Sequence, residues 1–142
     1  MALRPSRAVE VRRVKGKGRG VFARRPIAEG DVIESCPVLV MPAADLRRGE
    51  DWTHLGDYCF EWGEGTMALA LGFGSLYNHS YRPNARYEDV AGPTKLFVAV
   101  RDIAAGEEIT VNYNGEPDDA SPVWFDVIEP ARADDAPAGG AA

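Results

Sequence analysis

The chain has 142 residues, with 16 Lys+Arg against 22 Asp+Glu and a formal net charge of −6. That is one domain's length, enough to bury a core without disulfide staples, and an apolar share of 45% excludes a wholly disordered chain. No stretch approaches the ~18 uninterrupted apolar residues of a membrane span, and the first residues, MALRPSRAVEVRRVKGKGRG, lack the apolar segment of a secretory signal. The expectation is a cytoplasmic protein with no membrane partner, whose Cys36 and Cys59 are free thiols.

Residues 1–25 carry nine basic side chains against Glu10 (net +8), residues 115–142 carry seven acids against Arg132 (net −6), and the middle is −8. Residues 1–6 read as a solvated, disordered basic arm; the alternative is contact with nucleic acid, for which the arm lacks interleaved aromatics. Val9–Val14 alternates apolar and polar residues, as a half-buried strand does. Gly16, Gly18 and Gly20 then punctuate a loop before Val21–Ala23. Val32-Ile33 and Val38–Met41 are two short β-type runs bounded by Gly30, Pro37 and Pro42. Helical turns are expected only near Ala43–Arg48 and Met67–Leu71. Leu96–Val100 and Ile109–Tyr113 are β-branched strands. Residues 126–142, rich in Ala, Pro, Gly and Asp from about Glu129, bury too little apolar area to offset their ordering entropy and read as a disordered tail. The fold class is mainly β, with few short helices.

One internal repeat is present. Arg25-Pro-Ile-Ala-Glu-Gly-Asp-Val-Ile33 matches Arg101-Asp-Ile-Ala-Ala-Gly-Glu-Glu-Ile109 at an offset of 76 residues. Each copy runs from a strand through a turn, whose Gly suits φ > 0, into a second strand. Two copies cannot make a solenoid; they suggest two similar β units folded against each other.

Four segments could carry chemistry. Lys15-Gly-Lys-Gly-Arg-Gly-Val-Phe22 lets backbone groups approach a ligand closely, but it is neither a P-loop nor a dinucleotide fingerprint. Gly74–Asn84 gathers Asn78, His79, Ser80 and Asn84 in an ordered loop. His79 is badly placed to activate its neighbour Ser80, because adjacent residues in extended chain point apart, and no metal-ligand spacing appears. Glu107–Tyr113 ends a strand on a tyrosine. Trp124 and Phe125 form an aromatic pair in an acidic tail and must dock on the domain or stay exposed at a cost.

Taken together, GKGRGVF, SLYNHSYRPN and GEEITVNY resemble, in order, the three signature segments of the SET domain of protein lysine methyltransferases. The resemblance covers residues 7–125, with a short insert over 46–71. It implies a β-clip fold of small sheets, with a pseudoknot that brings the Asn-His loop beside the closing strand. It further implies an S-adenosylmethionine-dependent protein-lysine N-methyltransferase using no metal. Lys17, Gly18, Arg19 and Gly20 would hold the donor through their backbone, and Asn78 and His79 would bind its amino-acid and adenine portions. Tyr113 matches the catalytic tyrosine, and Tyr87 matches an aromatic that lines the lysine channel and can hold the amine. Tyr58 and Phe60 would add channel contacts, Val111 is small where some relatives place an aromatic, and Trp124 or Phe125 would cover the adenine. The substrate implied is a basic, lysine-bearing protein or peptide, which the acidic middle would steer. Two departures stand out: Asn112 where Asp is common, and no cysteine-rich segment after Tyr113. Asn112 and the short insert motivate one alternative, a weakly active module that binds a basic peptide, and the basic amino-terminal arm motivates another, a nucleic-acid-associated protein. Unpaired strand edges leave a homodimer open.

Overall fold

The structure is a computed structural model describing residues 6–130. Most of the expected basic arm (1–6), and the expected tail (126–142) beyond Pro130, lie outside the described residues. Short strands dominate: β1 (Val9–Val14), β2 (Gly18–Ala23), β3 (Val32–Pro42), β4 (Arg47–Arg48), β5 (Asp51–Trp52), β6 (Phe60–Glu61), β7 (Thr66–Ala70), β8 (Asn78–His79), β9 (Ala85–Val90), β10 (Thr94–Ala99) and β11 (Glu108–Val111). Two single 3-10 turns, Ala43–Leu46 and Leu55–Tyr58, are the helical elements among the described residues. The mainly β class is as the sequence implied. The strands form a sheet of order β1-β2-β11-β8, a second of order β6-β7-β3-β10-β9, and the hairpin β4-β5.

Three sequence expectations need correction. Gly18 and Gly20 begin β2 rather than preceding it, because Gly18 pairs with Val14 and Gly20 with Arg12 across the hairpin. Val32-Ile33 and Val38–Met41 belong to one strand that runs through Pro37. β3 changes partner at that point, from β10 (Pro37 faces Thr94) to β7 (Val38 faces Ala70), so no ladder N–H is required of the proline. Met67–Leu71 is not a helical turn, since Thr66–Ala70 is strand β7 held between β3 and β6. Sheet pairing on both edges there overrides the helix propensity of Met-Ala-Leu-Ala.

The repeat is the organising feature of the two large sheets. Ile27 and Ile103, equivalent residues of the two copies, face each other and exchange both backbone bonds, at 2.9 and 2.8 Å. Gly30 N–H donates to Ala99 O at 2.8 Å, and its counterpart Gly106 N–H donates to Ala23 O at 2.7 Å. Val32 of β3 faces Val98 of β10 just as Glu108 of β11 faces Phe22 of β2. Each copy therefore lends its leading strand to the other copy's trailing strand, about a local two-fold axis through the Ile27–Ile103 bridge. Both turns have Gly at positive φ, +88° at Gly30 and +84° at Gly106. Val21, Ile33, Phe97, Ile103, Ile109 and Tyr77 contribute to the core between the sheets.

Candidate active site

The site lies where the first sheet closes. β8 is only two residues long, yet it runs parallel to β11, Asn78 beside Thr110 and His79 beside Val111. Ser80 N–H extends the crossing with a 3.0 Å bond to Val111 O. This brings together two segments whose pairing is invisible in their spacing along the chain.

Each group at the crossing is tied down. Asn78 Nδ2 donates at 2.8 Å to Arg19 O and at 2.8 Å to Glu108 Oε2, while Lys17 Nζ donates to Glu108 Oε1 at 2.9 Å. Gly20 must be glycine here: a Cβ would stand 2.8 Å from Asn78 Nδ2 and closer still to the Glu108 carboxylate. Tyr113 lies two residues past the end of β11, not within it. Its backbone N–H donates to His79 Nδ1 at 2.9 Å, and its hydroxyl donates to Tyr77 O at 2.6 Å. With Nδ1 accepting, the neutral His79 ring carries its proton on Nε2, a buried atom that has no hydrogen-bond partner. Burial holds His79 below the ordinary imidazole value, with the Glu129 carboxylate opposing. Burial likewise pushes the Tyr113 hydroxyl up, helped by Glu108, Tyr87 and Tyr58, so Tyr113 stays a proton donor at neutral pH.

A cleft of about 230 Å³ opens above these groups, lined by Gly16, Lys17, Asn78, His79, Tyr113, Phe125, Asp126 and Ile128. Phe125 meets the rings of His79 at 6.0 Å and Tyr113 at 5.8 Å. Trp124 stacks on Tyr113 from outside at 5.9 Å and stays 66% exposed. Of the aromatic pair, Phe125 is the one that lines the cleft. The following residues latch the chain down: Glu129 accepts from the Ser80 hydroxyl and, at 3.0 Å, from Tyr81 N–H. Within the expected tail, this stretch therefore makes specific contacts at least as far as Glu129.

An aromatic wall lies within electrostatic reach of Tyr113, through Tyr87. Phe60 and Tyr87 meet edge to face at 5.1 Å, and both contact Phe97. Tyr87 is pushed up to about 12 by burial and by the carboxylates Asp89, Glu61 and Glu116. Lys95 reaches this wall from β10, its ammonium 4.2 Å from the Phe60 ring centre, 4.4 Å from that of Tyr87 and 5.5 Å from that of Trp62. Only 1% of that side chain is exposed, and it is paired with Asp89 at 2.6 Å.

The expected site residues divide accordingly. Lys17, Asn78, His79, Tyr113 and Phe125 converge on the cleft, and Tyr87 and Phe60 form the adjoining wall with Tyr58 nearby. Gly18 and Arg19 lie instead along a shallow neighbouring hollow, where Arg19 serves Asn78 through its carbonyl. Val111 is fully buried in the core, so packing fixes its identity. Missed by the sequence reading were Glu108, Lys95 and the cleft-lining Gly16, Asp126 and Ile128; of these, Gly16 and Glu108 sat inside recognised motifs. Among the described residues no group of three or more His, Cys, Asp or Glu side chains could hold a metal, and no helix is long and apolar enough to cross a membrane.

Comparison with known proteins agrees with this geometry. A sequence profile of the SET domain matches residues 18–114, which include Asn78, His79 and Tyr113. The chain belongs to the SET domain family. It is 34% identical over 119 residues to the fission yeast (Schizosaccharomyces pombe) histone-lysine N-methyltransferase specific for H3 lysine-37, covering 83% of this chain and 77% of that protein. It is 31% identical over 117 residues to the N-lysine methyltransferase KMT5A-A of Danio rerio, covering 72% of this chain and 34% of that one. A crystal structure of a candidate histone methyltransferase from Plasmodium falciparum superposes with a TM-score of 0.63 at 28% identity, over 78% of this chain and 95% of the other.

Proposed function

We propose that this protein is an S-adenosylmethionine-dependent protein-lysine N-methyltransferase acting on a basic protein or peptide. The observation that carries the reading is the β8–β11 crossing, which sets Tyr113 in a polar cleft within electrostatic reach of Tyr87 in the aromatic wall. The cleft residues suit the donor: the Lys17 ammonium and Asn78 amide match its amino-acid end, the unpaired Nε2–H of His79 offers a buried donor, and Phe125 offers a flat apolar face. When bound, the donor would supply a sulfonium-activated methyl group.

This chain's residues would do the rest. A lysine ammonium has a reference pKa near ~10.4 and no lone pair, so the acceptor must arrive neutral. The partly exposed rings of Phe60 and Tyr87 favour that form by desolvation, and no dedicated base is needed because the proton leaves to water. The protonated hydroxyls of Tyr113 and Tyr87 flank the approach and orient the amine. Such alignment can supply roughly 7–11 kcal/mol of rate enhancement. The carboxylates of Glu61 and Glu116, which act on Tyr87, favour a substrate with positive charge around its target lysine.

The alternative of an inactive peptide-binding module drew on Asn112. That residue instead holds structure together, since its amide donates to Asp119 O at 2.7 Å and Pro117 O at 3.3 Å and so anchors the chain that carries Phe125. Asp could not donate there, so the substitution supports closure of the site.

Incubation with isotope-labelled S-adenosylmethionine and a panel of basic proteins tests the proposal. Label is expected on lysine of at least one acceptor. Tyr113→Phe should lower turnover at least ~100-fold with donor affinity nearly unchanged. Donor binding without transfer to any acceptor would favour the inactive module, and near-normal turnover of the variant would remove Tyr113 from its role.

A further inference from the structure

The Tyr113 hydroxyl is aimed by one acceptor, the main-chain carbonyl of Tyr77 at 2.6 Å. What holds that carbonyl is the Tyr77 side chain, which points away from the cleft into the core and is only 2% exposed. Its ring stacks on Phe97 at 4.3 Å with an interplanar angle of 17°. Its hydroxyl donates to Glu34 Oε1 at 2.7 Å. The other oxygen of Glu34 accepts the Phe73 N–H at 2.9 Å, so one buried carboxylate grips both ends of the 73–77 turn. Gly72, at φ +61°, brings the chain close over this carboxylate: a Cβ there would stand 2.6 Å from Oε2.

From this geometry we infer that Glu34 and the Tyr77 hydroxyl are a positioning pair for Tyr113, fixing the carbonyl that orients its hydroxyl. The inference rests on the methyltransferase reading above. Neither side chain is among those lining the cleft, so the pair acts through the turn. A carbonyl free to swing would let the Tyr113 hydroxyl turn with it. Alignment losses of this size, on the scale of an ångström, cost up to about 100-fold in rate.

Tyr77→Phe isolates the effect, because it keeps the ring, its stacking on Phe97 and the main-chain carbonyl. With labelled donor and a basic acceptor, kcat is expected to fall by about tenfold or more while both KM values stay within about twofold. In a Tyr113→Phe background the same change should lower kcat by less than about twofold, since residues acting as a unit are non-additive. A second readout needs no turnover: with ring-labelled tyrosine, NMR should show a slowly exchanging Tyr113 hydroxyl proton in the wild type and its loss in Tyr77→Phe. Should Tyr77→Phe fail to fold, Glu34→Gln takes its place with the same expected pattern, because it leaves one acceptor oxygen for two donors. Unchanged kcat in a folded variant, equal losses in both backgrounds, or a retained hydroxyl signal would each overturn the inference. A wild type that transfers no methyl group instead defeats the methyltransferase reading, and the NMR comparison still decides whether the pair holds Tyr113.

Discussion

His79 is asked to be an acceptor, and its surroundings enforce that. Protonation of Nδ1 would set two N–H groups, its own and that of Tyr113, against each other. Because burial depresses its pKa in the folded protein, the stabilisation from neutral His79 is complete above the unfolded value of ~6.5 and is lost as pH falls through the lower folded value. Thermal melts from about pH 5 to 8 should therefore show an acid-side loss that His79→Gln, which has no titration in this range, does not share. Asn112 makes a complementary point. Asn112→Asp would turn an amide that serves two carbonyls into a charge facing them, with an expected loss of about 1–3 kcal/mol. Limited proteolysis should show faster cutting between 115 and 125 in that variant. Asn78, His79 and Tyr113 were legible in the sequence because each sits inside a contiguous motif. Glu34 was not: its partner Tyr77 lies 43 residues away, and a single Glu in an apolar run gives no sign of what it will meet.

Among the elements, the aromatic wall shows how a buried charge can organise neighbours. Lys95 links Phe60 and Trp62, from the β6 end of the insert, to Tyr87 and Asp89 on β9. Desolvation lowers its pKa, with Asp89 opposing, which marks the ammonium as expensive to hold without its counter-charge. Asp89→Asn should accordingly destabilise more than Lys95→Met, although each breaks the same ion pair. The difference is expected to be about 1–2 kcal/mol, kept small because the Asp89 side chain is 42% exposed and screened. Urea unfolding of both variants checks the order. The sequence could not announce this clamp, because Lys at position 95 reads as a solvated strand residue until β9 and β6 are laid beside it. Strand β7 escaped for a related reason, since its Met-Ala-Leu-Ala run favours helix until two neighbouring strands claim its backbone.

Over the whole molecule, the two repeat copies make a prediction that neither makes alone. Gly30 and Gly106 occupy equivalent turns at nearly equal positive φ, and a Cβ at either would meet nothing within 4 Å. Replacing either by Ala should therefore cost only the backbone penalty of about 1–2 kcal/mol, and by the same amount at both sites. Unequal losses in equilibrium unfolding would show that the local two-fold is geometric but not energetic. The repeat was legible as sequence, and its offset already made Ile27 and Ile103 equivalent positions. Which strand would pair with which was not legible, because each copy's strands find partners in the other copy, and separation along the chain carries no signal of such an exchange.

The parallel pairing of Asn78–His79 with Thr110–Val111 has a consequence for how the protein is made. The strip that completes the proposed catalytic centre is synthesised about thirty residues after the strip it lies beside, and the covering Phe125 and the Glu129 latch follow later still. While those later residues remain inside the ribosome, a nascent chain can assemble the β1–β2 hairpin and the β3–β10 pairing but holds no competent centre. On the proposed reading, methyl transfer would be deferred until the chain through Glu129 has emerged, and maturation should be limited by the slow closure of these long-range contacts.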